Sequence, residues 1–263
     1  VVFSQSQSAL AVDAVVVDSP AERAGLRAGD AVVSLNGQTF AQSRDAVSAI
    51  QRLSAGTALP IVVSRAGQRI SLSATLATAP ELGDLPQNPA PPLRAVVAAN
   101  GGSADLLALR GRVVVVDFFA SWCGPCRLTM PWLNQLQNRL ANQGLSVIGI
   151  TDETAREAQQ IALSLHVQYT LATDATGPMR WGVRSLPTLV VIDRAGIVRE
   201  YYNGSDSQQN RALESLVRRL LAEPAPAAPT APATAVPATP PTTTTATNPA
   251  RAAPAPTNVP RTP

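Results

Sequence analysis

Trp122-Cys123-Gly124-Pro125-Cys126 holds both cysteines of the chain, two residues apart. The apolar run from Val113 to Phe119 ahead of it predicts a buried strand, and Pro125 to Asn142 behind it predicts a helix. Cys123 therefore falls at the strand-to-helix turn, where free backbone N–H groups and the positive end of the helix dipole favour a thiolate. In a Cys-X-X-Cys pair at such a turn the first thiol's pKa can fall from ~8.5 to about 7 or below, which makes it a nucleophile near neutral pH. Cys126, one turn further in, is expected to be less exposed and to attack the mixed disulfide that Cys123 forms.

Three other readings compete. Structural zinc requires four ligands, and two cysteines with a single histidine, His166, do not supply them, so no metal site is expected. A purely structural disulfide across so short a loop constrains the unfolded chain little. Two inert, buried cysteines fit poorly with the glycine and proline between them and the tryptophan before them. Redox chemistry is favoured, with no cofactor beyond the disulfide Cys123–Cys126 itself.

All 21 basic residues are arginine and the net charge is only +3 over 263 residues. No arginine cluster interleaves with aromatics, which argues against nucleic acid as a partner. No apolar run reaches the ~18 residues of a membrane helix. The chain opens at Val1-Val2-Phe3 without methionine, so a removed signal peptide or an anchoring segment outside the sequence is an open expectation. Two cysteines alone suit a catalytic pair in a secreted-type chain.

Changes of character divide the chain into four stretches. Residues 1–78 read as a small strand-rich domain: strands over 11–17, 31–35, 59–64 and 69–76, and a helix capped by Ser43 whose apolar positions are Ala46, Val47, Ala49, Ile50 and Leu53. Residues 79–92 carry prolines at 80, 86, 89, 91 and 92 and read as an extended, fairly stiff linker able to lie against the next domain. Residues 93–222 alternate strand and helix and close with a hairpin and a helix, an α/β three-layer sandwich. Residues 223–263, almost wholly Ala, Pro and Thr, are expected to be disordered.

Two resemblances sharpen this. Ser19-Pro20-Ala21-Glu22-Arg23-Ala24-Gly25-Leu26-Arg27-Ala28-Gly29-Asp30, continuing to Asn36-Gly37, closely resembles the bacterial PDZ domains of periplasmic proteases. That implies an extended peptide ligand added as a strand beside the helix, in a groove formed by Val2, Phe3, Ala46, Val47 and Ile50. The family's glycine-containing carboxylate-binding loop would precede the strand begun by Val1 to Phe3 and has no counterpart in the sequence. A PDZ-like spacer without a ligand is the competing reading.

Val116 to Arg127, Met130-Pro131 and Gly182-Val183-Arg184-Ser185-Leu186-Pro187-Thr188 resemble thioredoxin, and within that superfamily the TlpA and ResA type of thiol-disulfide reductase. The resemblance implies a thioredoxin-like sandwich, protein disulfides as substrates, a membrane-embedded thiol reductant, a periplasmic or otherwise extracytoplasmic place, and cytochrome c biogenesis as a setting. It implies a cis peptide before Pro187, with Leu186 offering its backbone to substrate. Trp122, Gly124 and Pro125 would border the substrate site, Pro131 would kink the helix, and Met130 and Trp132 would serve packing. The glutamate common two residues before the proline of the Met-Pro pair is replaced by Thr129. Asp117, six residues before Cys123, matches thioredoxin proper. An acid in so apolar a strand should have a raised pKa and accept the proton of Cys126, unless it is a surface carboxylate at the strand end. Gly124-Pro125 is the thioredoxin pair and points to a reductant. An oxidase or isomerase, or a PDZ-based adaptor with a redox-sensitive switch, remain alternatives.

Overall fold

The structure is a computed structural model that describes residues 1–6 and 9–224. Beyond Pro224, the tail expected to be disordered lies outside the described residues. No helix among the described residues is long and apolar enough to cross a membrane.

The N-terminal part is an antiparallel five-stranded sheet in the order β1 (Val2–Ser6), β2 (Ala9–Ala14), β3 (Ala31–Leu35), β4 (Ala58–Arg65), β5 (Gln68–Thr75). Two helices accompany it, α1 (Pro20–Arg23) and α2 (Ser43–Gln51). Alternation along the strands turns Leu10, Val12, Ile61 and Val63 into one core with Leu26, Leu35 and Ala46. The segment that resembles PDZ domains has a physical explanation. Ser19 caps α1 through the N–H of Glu22, and Pro20 occupies the first turn, where its missing N–H costs nothing. Gly25 and Gly29 supply φ values of 86° and 87° that a side chain would strain. Asp30 is buried and accepts two hydrogen bonds from Arg65, at 2.7 and 2.8 Å, which hold its carboxyl below the usual carboxylate range. β2 stops at Ala14, short of the expected Val17, because the chain turns there, with Asp18 at φ 59° and the N–H of Ser19 on the carbonyl of Val16. Ser43 is not the cap of α2: it is already helical, and Gln42 occupies the cap position with no side-chain bond.

The second part is a seven-stranded sheet in the order β12-β11-β8-β9-β10-β6-β7. Its strands are β6 (Ala95–Val97), β7 (Ser103–Ala104), β8 (Val113–Phe118), β9 (Leu145–Thr151), β10 (Thr170–Thr173), β11 (Thr188–Ile192) and β12 (Val198–Asn203). β8, β9 and β10 run parallel, and β11, β12 and β6 antiparallel to their neighbours. Between them come α3 (Gly124–Leu140), α4 (Ala155–Leu165) and α5 (Gly177–Arg180), and α6 (Ser207–Ala222) follows β12. One face of the sheet carries Val113, Val115, Leu189 and Val191 against α3, α4 and α6. The opposite face carries Val114, Val116, Phe118 and Val190. This is the expected thioredoxin-like sandwich.

What covers that second face corrects the expectation of an extended linker. Residues 79–92 make a 3-10 turn at Leu82–Asp84, and Leu82 and Leu85 sit in the core with Leu93, Val116 and Trp181. The same stretch pairs with the last hairpin: Gln87 N–H donates to Val198 O, and Val198 N–H to Asn88 O. At Gly182 (φ 68°) a Cβ would lie 2.6 Å from the backbone N of Leu82, so the segment packs where only glycine fits. Proline fixed the local backbone; the leucines between the prolines decided the docking.

Candidate active site

β8 delivers its chain end into Phe119-Ala120-Ser121-Trp122, and Cys123 is the N-cap of α3. Cys123 Sγ accepts the N–H of Cys126 at 3.2 Å, and the two sulfurs are bonded as a disulfide with Cα atoms 5.3 Å apart. Cys126 is fully buried and Cys123 is 4% exposed, so any partner reaches Cys123 first. Thr129, also buried, bonds its hydroxyl to the carbonyl of Pro125. Pro131 lies inside α3 and offers no N–H to the helical ladder.

Beside the disulfide is a cleft of about 400 Å³ whose walls include Trp122, Cys123, Gly124, Pro125 and Leu186. Trp122 is 76% exposed, so it stands out beside the disulfide rather than covering it. The Leu186–Pro187 peptide is cis. Pro187 is buried, its carbonyl accepting the N–H of Gly204, while Leu186 forms the cleft wall. Asp152 and Arg184 also border the cleft; Arg184 lies in the motif that ends at Thr188, whereas no sequence motif singled out Asp152.

Asp117 is fully buried, not a surface carboxylate at a strand end. Strand alternation puts it on the face of β8 shared by Val113 and Val115, the face that packs on α3. Burial pushes its pKa up to about 7, against the lowering effect of a 3.1 Å hydrogen bond donated by the Tyr169 hydroxyl. No motif in the sequence singled out Tyr169. Glu153 is missed too: its carboxylate accepts the N–H and the hydroxyl of Ser121, each at 2.6 Å. Neither has a short-range sequence signal, since the partners are 52 and 32 residues away. His166 is the left-handed C-cap residue of α4 (φ 52°), exposed, with its carbonyl accepting from Asn134.

In the N-terminal part a cavity of about 280 Å³ includes Val1, Phe3, Val47 and Ile50 in its lining. Two expected groove residues do not belong to it. Ala46 is wholly buried in the core, one helical step of about 100° from Val47. Val2 is not among the lining residues, and the β1–β2 register shifts between Val2 and Phe3.

Comparison with known proteins agrees with this geometry. A family model described as Redoxin matches residues 85–217, and one described as PDZ domain matches residues 12–65. Thiol-disulfide oxidoreductase ResA of Bacillus thuringiensis subsp. konkukian is 27% identical over 128 residues, covering 48% of this chain and 73% of that protein. Thioredoxin-like protein YneN of Bacillus subtilis is 25% identical over 111 residues, 40% of this chain and 65% of that protein. A crystal structure of a thiol:disulfide interchange protein of the thioredoxin family from Chlorobium tepidum TLS aligns with TM-score 0.46 and 27% identity, covering 51% of this chain and 95% of that one. Since the redoxin match spans half of its length and encloses the cysteine pair, the chain belongs to the redoxin family and is a thiol-disulfide oxidoreductase with a PDZ domain ahead of its catalytic fold.

Proposed function

We propose that the protein reduces disulfide bonds of protein substrates outside the cytoplasm. The observation that carries this reading is the pairing of a Cys-Gly-Pro-Cys disulfide at the N-terminus of α3 with the buried acid Asp117 on the adjoining strand. In the dithiol form the Cys123 thiolate attacks a substrate sulfur, forming a mixed disulfide and releasing one substrate thiolate. Cys126 then gives its proton to Asp117, and its sulfur attacks Cys123. The second substrate sulfur leaves as a thiolate and the Cys123–Cys126 bond forms. Two electrons pass to the substrate, and a membrane-embedded thiol reductant returns them to the pair. The cleft beside Trp122 and Leu186 holds the substrate segment in extended form, with Pro187 fixing the turn of Leu186.

The Gly124-Pro125 pair supports a reduction potential nearer about −270 mV than about −120 mV. A glutathione-buffer titration with an insulin-reduction assay on the full chain tests this. A potential above about −180 mV with disulfide-forming activity makes the protein an oxidase or isomerase, and absence of both activities makes it an adaptor.

For the PDZ domain we infer binding of an extended peptide along β1, with apolar side chains received by Phe3, Val47 and Ile50. Ile50→Asp should then slow turnover of a protein substrate while leaving a small disulfide unaffected. Equal rates for both substrates in that variant assign the domain a spacer role.

A further inference from the structure

The geometry points to Tyr169 as a positioning residue for proton transfer: its hydroxyl occupies Oδ2 of Asp117 and leaves Oδ1 as the oxygen that receives the proton of Cys126. The inference rests on the reading of Asp117 as the proton acceptor. Asp117 and Tyr169 are both buried, and the Tyr169 hydroxyl donates to Oδ2 at 3.1 Å. Oδ1 is buried and has no hydrogen-bond partner among the described residues.

A carboxylate accepts at both oxygens, and a buried polar atom without a partner is costly. Here the two oxygens are made unequal. Oδ2 is already occupied by a donor, so a proton arriving on the carboxylate goes to Oδ1. Asp117 faces the core between the sheet and α3, α4 and α6. There α4 and α6 present Ala158, Ile161, Leu213 and Val217, and β11 presents Leu189. Its direct neighbours across the sheet are Gly149 of β9 and Leu189 of β11, neither titratable. Among the described residues, Cys123, Cys126 and Tyr169 belong to that core and Tyr202 packs against it. The hydrogen bond from Tyr169 favours the carboxylate over the acid, and burial opposes it. The proton exchange balances: Cys126 loses its proton to Oδ1, its sulfur bonds to Cys123, and the substrate thiolate leaves.

The test follows the two phases of thiol release when the reduced full chain meets an excess of a small aromatic disulfide. The first phase is attack by Cys123, the second is resolution by Cys126. Tyr169→Phe should move the pH midpoint of the second phase upward by about one pH unit and leave the first phase unchanged. Site-specific 3-fluorotyrosine at 169, a stronger donor of the same shape, should move it downward. In an Asp117→Asn background neither change should have an effect. An unmoved midpoint in both single variants, with Asp117→Asn still slowing the second phase, overturns the role of Tyr169 alone. A second phase indifferent to Asp117→Asn removes the proposed proton acceptor itself.

Discussion

Glu153 grips Ser121 with both carboxylate oxygens, one on the backbone N–H and one on the hydroxyl, two residues before Cys123. Thr151 at the end of β9 donates a third hydrogen bond to the same carboxylate. The loop that carries Trp122 and Cys123 out of β8 is thus tied to the neighbouring strand end. Hydrogen bonds to a charged group contribute about 1.5–3 kcal/mol each. Glu153→Ala should lower stability by about 2 kcal/mol or more and slow insulin reduction, measured by urea unfolding and turnover. Glu153→Gln, which can still accept one bond from Ser121, should lose less of both. No loss in either variant would show that the loop does not depend on this contact.

The order of attack is open to trapping. Cys126→Ser should accumulate a mixed disulfide with substrate through Cys123, visible as a higher-mass species on non-reducing gels, and Cys123→Ser should accumulate none. Comparable trapping by the buried Cys126 would reverse the assignment.

Asp117 has a consequence for stability as well as for chemistry. Its pKa is about 7 in the folded, oxidised protein, against an ordinary value near 4 in the unfolded chain. The fold holds the proton more tightly, so this group's contribution is fully present below about pH 4, declines as pH rises toward about 7, and is level beyond. Asp117→Asn removes the loss and should stabilise the oxidised protein at pH 8 by on the order of a few kcal/mol, and by little at pH 4. It should also slow resolution by roughly 10²-fold. Denaturation midpoints at the two pH values decide the first point; equal gains at both would place the ionisation of Asp117 elsewhere.

Arg180 and Asp174 form a buried ion pair at 2.8 Å, with side chains 6% and 5% exposed, and Arg180 also donates to the carbonyl of Pro92. Removing one charge strands the other, at a typical cost of about 3–5 kcal/mol, whereas replacing both is far milder. Arg180→Met should therefore unfold at markedly lower urea than Arg180→Met combined with Asp174→Asn. If the double variant is no more stable than the single, the pair is not what the fold depends on.

The sequence carries most strongly what is local. Helix Ala155–Leu165 begins and ends as local signals dictate, since apolar spacing and the Thr154–Glu157 capping box act within one turn. The strand, turn and helix around Cys123 were readable for the same reason, as was the burial of Asp117 among valines. Tyr169 and Glu153 were not, since a side chain's partner across a sheet or on another strand end depends on register and topology, which no short pattern encodes. Ala46 and Val47 show the limit within one helix. Both are apolar at helical spacing, yet Ala46 is in the core and Val47 is 37% exposed beside the cavity, a distinction set by where the sheet passes.

The docked stretch from Leu82 to Leu93 decides where the chain can be divided. Leu76 still pairs with Gly56 and Thr57 of the N-terminal part, and Leu82 already belongs to the catalytic fold, so the seam lies within residues 77–81. A catalytic fragment starting at Leu93 would strip Leu82 and Leu85 from Val116 and Trp181, and would lay bare the sheet face opposite α3. It would also remove the backbone that backs Gly182, the residue immediately before the cleft-wall residues Val183 and Arg184. A fragment starting at Ala79 keeps all of these, whereas one starting a dozen residues later leaves the catalytic fold unclosed.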